Sequence, residues 1–271
     1  MEKKQLIYPK ISVVTICFNA QEDLLKTIDS VKSLEYSNLE YIIVDGGSSD
    51  NTKSIIAQHQ QFVSKWVSEP DNGIYDAMNK GILMCTGEWV IFMNAGDVFH
   101  SKIVLNEVFS TSFKDRIGVI YGDVNLIFPK IGTIRKTFKD IKSSNVPLEI
   151  CHQGVFTKTE LLKKSLYNTG FKIMADLNSF IEIYSNNFTF YYVPQIIADF
   201  DIVGGVSSTK PFLSHHEMMR LKNLSPLNVG WYLSLFHAIF KWLCLKLLPQ
   251  SIYNKFRYNK LLNMNGYEKV S

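Results

Sequence analysis

Residues 90–97, Val-Ile-Phe-Met-Asn-Ala-Gly-Asp, carry a strand-length apolar run that ends on Asn94 and Asp97. In an α/β sheet, ligands bind beyond the C-terminal ends of parallel strands. A carboxylate placed there, after a glycine that lets the chain turn, can face a hard cation. The competing role for Asp97 is to cap the next helix, because Asp and Gly are common in ordinary turns. Three earlier segments have the same character. The run 11–17 ends in Cys17, Phe18 and Asn19, and the run 39–44 ends in Asp45-Gly46-Gly47-Ser48-Ser49-Asp50. A carboxylate beside two glycines can accept hydrogen bonds from a nucleobase or ribose, while the glycines let a flat ligand approach the backbone. A simple Asp-Gly turn is the alternative. In Glu69-Pro-Asp-Asn-Gly-Ile-Tyr-Asp-Ala-Met-Asn-Lys-Gly81, residues Asp76, Asn79 and Lys80 are three and four apart and share one helical face. Lys80 would offset phosphate charge there, and Asp76 and Asn79 would orient a base or sugar; the alternative is a solvated charged face. His152 in Cys151-His152-Gln153-Gly154 is available to a diphosphate, a metal or an acceptor, or is structural.

These side chains need a scaffold that brings strand ends together. Residues 11–17 are almost continuously apolar and β-branched, which suits a parallel strand buried on both faces. Residues 21–34 show helical spacing, with Leu24, Leu25, Ile28, Val31 and Leu34 on one side. Strands are expected at 39–44, 65–68 and 88–93, and helices at about 51–60 and 73–85. That alternation predicts a Rossmann-like, mostly parallel central sheet with helices on both faces. Beyond Asp97 the pattern loosens: a strand at 119–124, an irregular hairpin at 125–138, a strand at 148–156, helices at 160–166 and 176–184, and late strands at 188–193 and 196–202. Asp199 and Asp201, with Gly204-Gly205 as a hinge, are placed to order a loop over the site.

The chain's 271 residues suffice for one large α/β domain with an appendage, expected as a domain over 1–210 and a helical tail over 211–271. In that tail, Gly230 to Leu248 is rich in aromatics and leucines, while Ser234, His237, Lys241 and Cys244 share one face. Lys241 and Lys246 would be costly at bilayer depth, so an amphipathic helix lying on a membrane surface is expected, in competition with a helix packed on the core. Lys255, Arg257 and Lys260 suit the anionic cytoplasmic leaflet. Residues 1–10 contain no apolar signal-peptide core. A formal charge of +4, from 29 basic and 25 acidic residues, is too weak to argue for nucleic acid. The four cysteines form no Cys-x-x-Cys pair and are expected to be reduced, buried thiols in a cytoplasmic protein. No Gly-x-Gly-x-x-Gly follows the first strand and no Walker loop occurs, which argues against dinucleotide dehydrogenases and P-loop enzymes.

Taken in order, Val13 to Asn19, Ile43 to Thr52, Glu69 to Gly81 and Gly87 to Asp97 resemble the signature of glycosyltransferase family 2. The resemblance spans about residues 10–200 and is nearest to bacterial members of the colanic-acid type, which build surface polysaccharides. It implies the GT-A fold and inverting transfer of a sugar from a nucleoside-diphosphate sugar to a glycan or lipid-linked acceptor. It places Thr15, Asn19, Asp45 and Gly46 around the donor base, and Asp76, Asn79 and Lys80 along the donor. Asn94-Ala95-Gly96-Asp97 occupies the place of the metal-binding Asp-x-Asp motif, with Asn94 where an Asp usually stands. Asp97 is then the ligand for Mg²⁺ or Mn²⁺, and His152 and Gln153 lie toward acceptor or diphosphate. In the family's acidic motif Ala175 replaces the first acid and Asp176 remains, which implies Asp176 as the general base; its alternative is capping of the following helix. A nucleotidyltransferase of related fold would carry a Gly-rich phosphate loop where Phe18-Asn19-Ala20-Gln21 stands. The thinned acidic motifs raise a third alternative, a catalytically inactive nucleotide-sugar binder.

Overall fold

The computed structural model describes residues 8–111, 113, 116–139, 150–203 and 205–270. The expectations for residues 1–7, for the start of the 148–156 strand and for Gly204 as a hinge lie outside them.

The first half is a regular alternation: β1 (Ile11–Cys17), α1 (Gln21–Lys32), β2 (Leu39–Asp45), α2 (Thr52–Gln58), β3 (Lys65–Ser68), α3 (Ile74–Met84) and β4 (Trp89–Phe92). β3, β2, β1 and β4 are parallel neighbours, and the register sets Cys17 opposite Asp45 and Asp45 opposite Ser68. The polar segments following these strands therefore emerge along one edge. All seven residues of β1 are buried, as a strand covered on both faces requires. One face packs against Leu24, Ile28 and Val31 of α1 and Ile55 and Ile56 of α2. The other packs against Tyr75, Ala77, Met78 and Ile82 of α3. Helix α3 crosses β1 so closely at Gly81 that a Cβ there would lie 2.6 Å from Val14 Cγ1.

The second half adds β5 (Val98–Phe99), α4 (Val104–Val108), β6 (Ile117–Phe128), β7 (Gly132–Lys136), a 3-10 turn at His152–Gly154, β8 (Val155–Lys158), α5 (Thr159–Lys164), α6 (Ala175–Ser185) and β9 (Thr189–Asp201). The sheet continues from β4 through β8 to β6 and β7, with antiparallel pairing, while β9 runs parallel to β6 and antiparallel to β5. Three expectations need correction. Residues 125–138 form a regular hairpin, closed by a turn in which Lys130 has φ +64°. The 148–156 strand is shorter, because the backbone turns at His152–Gly154 before β8 begins. The two late strands are one, β9, whose register shifts where Pro194 and Gln195 drop out of the ladder. Proline has no N–H to give to a ladder, so a bulge is its natural place inside a sheet.

The chain ends with α7 (Val206–Thr209), α8 (Pro211–Leu221), α9 (Val229–Leu247), α10 (Gln250–Leu262) and β10 (Tyr267–Lys269). Several elements beyond residue 210 are tied to the sheet and to the loops before it. Glu217 of α8 is buried and accepts the backbone N–H groups of Lys172, Ile173 and Met174 at 2.6–3.0 Å. Tyr258 of α10 joins a core with Phe128, Ile134 and Phe200. β10 pairs with β7 at the sheet edge. Only α9 is weakly covered. Among the described residues, no helix is long and apolar enough to cross a membrane.

Candidate active site

Two sets of polar side chains lie along the strand edge, and they differ in how far their hydrogen bonds are filled. The first stands where β1, β2 and β3 end. Asp45 is fully buried; it accepts from Ser48 N–H at 3.1 Å, from the Ser48 hydroxyl, and from Ser68 Oγ at 2.5 Å. A carboxylate has about four lone-pair sites, and with the Cys17 thiol 3.9 Å from Oδ1 as a weak fourth donor Asp45 is satisfied from within. Asn19, in the left-handed region at φ +48°, crosses between the loops: its N–H donates to Ser48 Oγ at 2.7 Å and its Oδ1 accepts from Ser49 N–H at 2.9 Å. Gly46 is covered by Asp71: a Cβ there would collide with Asp71 Oδ2. Thr15 is fully buried, donating to the Met93 carbonyl at 2.7 Å and lying 3.0 Å from Tyr41 Oη. It ties β1 to the end of β4.

The residues of α3 divide in the same way. Asp76 accepts from Asn72 N–H at 2.9 Å. Lys80 lies 2.9 Å from a Glu69 carboxylate oxygen and donates to the Pro70 carbonyl at 2.9 Å, so it clasps the loop before the helix. Both amide groups of Asn79 bind the backbone of Tyr167, donating at 2.9 Å and accepting at 2.8 Å. Asn79 therefore fixes the 167 loop instead of facing the donor edge.

The second set lies where β4 ends. Gly96, at φ +98°, turns the chain between Asn94 and Asp97. Thr27 of α1 holds this loop: its hydroxyl lies 2.8 Å from the Asp97 carbonyl and accepts the Gly96 N–H at 2.9 Å. Asp97 is buried at 8 % exposure, and its Oδ2 has no hydrogen-bond partner. Burial pushes its pKa up to about 7, against the opposing pull of His152 and of hydrogen bonds from Asn94 and Gln153. Asn94 Oδ1 is likewise buried and without a partner. Its Nδ2 lies 3.2 Å from His152 Nε2, and His152 Nδ1 lies 3.2 Å from Asp176 Oδ2. Tyr75 Oη lies 2.9 Å from Asp176 Oδ1 and donates also to the Ile173 carbonyl at 2.6 Å.

Asp176 does not cap the helix: Met174 is the N-cap of α6, and Asp176 stands in its first turn with the carboxylate turned to His152 and Tyr75. Burial raises its pKa, but the hydrogen bond and charge of His152 and the Tyr75 hydroxyl outweigh this and lower it overall. His152 shifts upward: burial disfavours its charged form, and Asp176 outweighs the burial. Asn94, Gln153, His152, Asp176 and Tyr75 thus form one chain of contacts beginning at Asp97.

Buried polar atoms are nearly always satisfied. Two orphaned oxygens a few residues apart, one on a carboxylate, are the donor set that a hard divalent cation takes. Among the described residues no group of three His, Cys, Asp or Glu side chains could hold a metal alone. A cation here would need further oxygens from a ligand or water, and Asp97 and Asn94 fit that arrangement.

Tyr75, Thr27, Glu217 and Asp71 were not singled out in the sequence. Tyr75 and Asp71 lie within the 69–81 segment, but aromatics and turn acids carry no distinguishing pattern. Thr27 and Glu217 act from distant helices, which spacing cannot reveal. Asp199 pairs with His100 at 2.9 Å and accepts from Asn125 at 2.8 Å, which ties it into the sheet. Cys17 and Cys85 are buried as expected, and Cys151 and Cys244 are partly so.

An α/β sheet with four parallel strands and a polar, partly unsatisfied C-terminal edge places a ligand site beyond those strand ends. The chain belongs to glycosyl transferase family 2, whose family model matches residues 12–174. It is therefore an enzyme of the glycosyltransferase type, which sets aside the nucleotidyltransferase alternative. An uncharacterized glycosyltransferase of Mycobacterium tuberculosis is 28 % identical over 229 residues, 80 % of this chain and 84 % of the relative. A PGL/p-HBAD biosynthesis glycosyltransferase of Mycobacterium bovis is 28 % identical over 225 residues, 78 % and 85 % of the two chains. A mannosyltransferase of Pyrobaculum calidifontis, solved with GDP-Man and Mn²⁺, shares the fold at TM-score 0.64 and 15 % identity, covering 94 % of this chain and 81 % of that one. Staphylococcus aureus TarS, solved with UDP-GlcNAc, does so at TM-score 0.63 and 15 % identity, covering 92 % and 79 %.

Proposed function

We propose that the protein transfers a sugar from a nucleoside-diphosphate sugar to a hydroxyl of a glycan or lipid-linked acceptor, with inversion, in surface polysaccharide or glycolipid assembly. The observation that carries this is the pair of orphaned oxygens on Asn94 and Asp97, joined through His152 to the Asp176 carboxylate. The donor base lies along the ends of β1 to β3, against Asn19, Gly46 and Asp71. Asp45 contributes there by orienting Ser48 and Ser68, and Asp76 and Lys80 by holding the loop before α3. Asp97, with Asn94, would hold Mg²⁺ or Mn²⁺; such an ion supplies charge neutralisation at the leaving diphosphate.

Asp176 takes the proton of the acceptor hydroxyl as that oxygen attacks the anomeric carbon. His152 and Tyr75 keep its carboxylate ionised and fixed in direction. A single base on the acceptor side suits a one-step displacement, which inverts the anomeric centre. Gln153, bonded to Asp97, sits at the junction of donor and acceptor. The exposed apolar face of α9 supports work at the inner membrane surface.

The test is a thermal-shift panel of UDP- and GDP-sugars with and without Mn²⁺ or Mg²⁺, followed by donor turnover with the best binder. Metal-dependent stabilisation by a nucleotide sugar is expected, because a ligand that binds only the folded state raises stability by mass action. Stabilisation without turnover under every acceptor tried would leave an inactive binding protein.

A further inference from the structure

Helix α9 leaves most of its apolar surface uncovered. Soluble helices bury an apolar stripe and show water a polar one. In α9 only Ala238 is fully buried, while Ser234, with its Oγ 2.8 Å from His215 Nδ1, Lys241 and Cys244 are half-buried beside it. Leu233, Phe236 and Leu247 point outward at 67 %, 71 % and 74 % exposure, and Tyr232, Phe240 and Leu243 extend the same stripe. An exposed apolar band of this length marks an interaction surface.

Beside the stripe, between α9, α10 and the end of β9, lies a cavity of about 210 Å³. Four basic side chains line it: His237 and Lys241 from α9, and Arg257 and Lys260 from α10, with no Asp or Glu among its lining residues. The pocket therefore concentrates positive charge, with the Asp201 carboxylate acting on Arg257 from outside the lining. Burial first, then Arg257 and Lys260, pushes Lys241 down to about 8. Burial, then Lys260 and Lys241, lowers His237. Arg257 is already braced: its Nη1 donates to the Ile202 carbonyl at 3.5 Å, and its guanidinium lies 5.8 Å from the rings of Phe128 and Tyr253. Phe240, Phe256 and Met264 also line the cavity and give it an apolar margin. Crowded cations at an apolar rim match an anion attached to a hydrocarbon. Guanidinium and ammonium groups are the usual partners of phosphate.

We propose that α9 lies on an anionic bilayer with its outward stripe among the acyl chains, and that the Lys241–Arg257–Lys260 pocket receives the phosphate of a lipid headgroup. This rests on the membrane-surface reading above and adds to it a specific headgroup site.

The experiment uses the full chain in vesicle flotation, with phosphatidylcholine alone and with phosphatidylcholine plus phosphatidylglycerol. Three charge variants are compared with wild type: the pocket pair R257Q/K260Q, the single K260Q at an exposed position, and K255Q/K269Q as a charge-matched control outside the pocket. A parallel arm measures binding of soluble glycerol 3-phosphate by calorimetry. Wild type is expected to float on the anionic vesicles and to bind glycerol phosphate. The pocket pair should lose roughly tenfold or more in vesicle binding, together with the calorimetric signal. K260Q should lose part of both. The control should keep its glycerol phosphate binding and most of its flotation. Equal behaviour of the pocket pair and the control, in variants with unchanged circular dichroism, overturns the headgroup site and leaves the membrane reading standing. Failure of wild type to float on either vesicle overturns the membrane reading itself. If L233S/F236S instead converts a sedimenting dimer to a monomer, a second copy of the chain covers the stripe and the proposal falls.

Discussion

The ends of β1, β2 and β3 and the end of β4 lie along one edge, yet their polar groups are in opposite conditions. At the first, Asp45, Ser48, Ser68 and Asn19 answer one another's hydrogen bonds. At the second, Asp97 Oδ2 and Asn94 Oδ1 are buried and answered by nothing. An unmet buried acceptor costs about 1–3 kcal/mol, so a fold retains one only where something else stabilises it. The contrast separates residues that build the edge from residues that wait for a ligand, within motifs that look alike in sequence. It also forecasts which substitutions harm activity and which harm the fold.

The largest effect is expected at Asp176. Asp176→Asn keeps the size of the side chain but cannot accept a proton, so transfer should fall by about 10²–10⁴-fold while nucleotide affinity stays near wild type. Transfer rate and calorimetric affinity in the same variant decide it. A rate within a few fold of wild type would pass the role to Asp201, since Asp199 is tied to His100 and Asn125. Asp97→Asn comes next. Removing the charge of a buried carboxylate with one oxygen unpartnered should leave the melting temperature unchanged or raise it, while metal-dependent donor turnover drops by roughly 10²-fold or more. A variant that loses stability and keeps turnover would place Asp97 with the builders.

Asp45→Ala tests the other end. Hydrogen bonds to a charged group are worth about 1.5–3 kcal/mol each, and Asp45 accepts several. A stability loss exceeding about 3 kcal/mol is expected by chemical denaturation, with weaker nucleotide binding only as its consequence. A stable variant that no longer binds nucleotide would show that the carboxylate itself meets the ligand. Asn79→Ala should cost about 1–3 kcal/mol, because the Tyr167 amide and carbonyl lose their partner. Its effect on donor affinity should be small.

Residues 11–93 were readable because their pattern is local: buried β-branched runs, amphipathic helices and glycine turns at strand ends. Asp97 was legible as a candidate for the same reason, standing just past a strand end, whereas Asp176 was marked by the family resemblance and not by a local pattern. What the sequence could not show was direction. Thr15, Asn79 and Lys80 sit in the right segments, but their hydrogen bonds go to Met93, Tyr167 and Pro70, partners fixed only when the elements pack. The attachment of residues 211–271 was hidden likewise, because Glu217 and Tyr258 bind elements more than forty residues away in sequence. The uncovered face of α9 was half visible: its load of aromatics and leucines was identified, but not which of them stay exposed.

Tyr75→Phe should give the smallest effect and the sharpest test of how the open end works. The Tyr75 hydroxyl is shared between Asp176 Oδ1 and the Ile173 carbonyl, while His152 holds the other carboxylate oxygen. Burial raises the Asp176 pKa, and His152, then Tyr75, more than offset it. Phenylalanine keeps the ring packed against Tyr167 and removes only the hydroxyl. A hydrogen bond to the ionised form lowers a carboxyl pKa, so losing it raises that pKa. The acid limb of kcat/KM should therefore move to higher pH, while the rate on the plateau falls by only a few fold. A purely structural tyrosine would lower the plateau or the melting temperature and leave the limb in place. An unmoved limb would also mean that Asp176 is not the group titrating in the free enzyme, and His152 would then be the next to substitute.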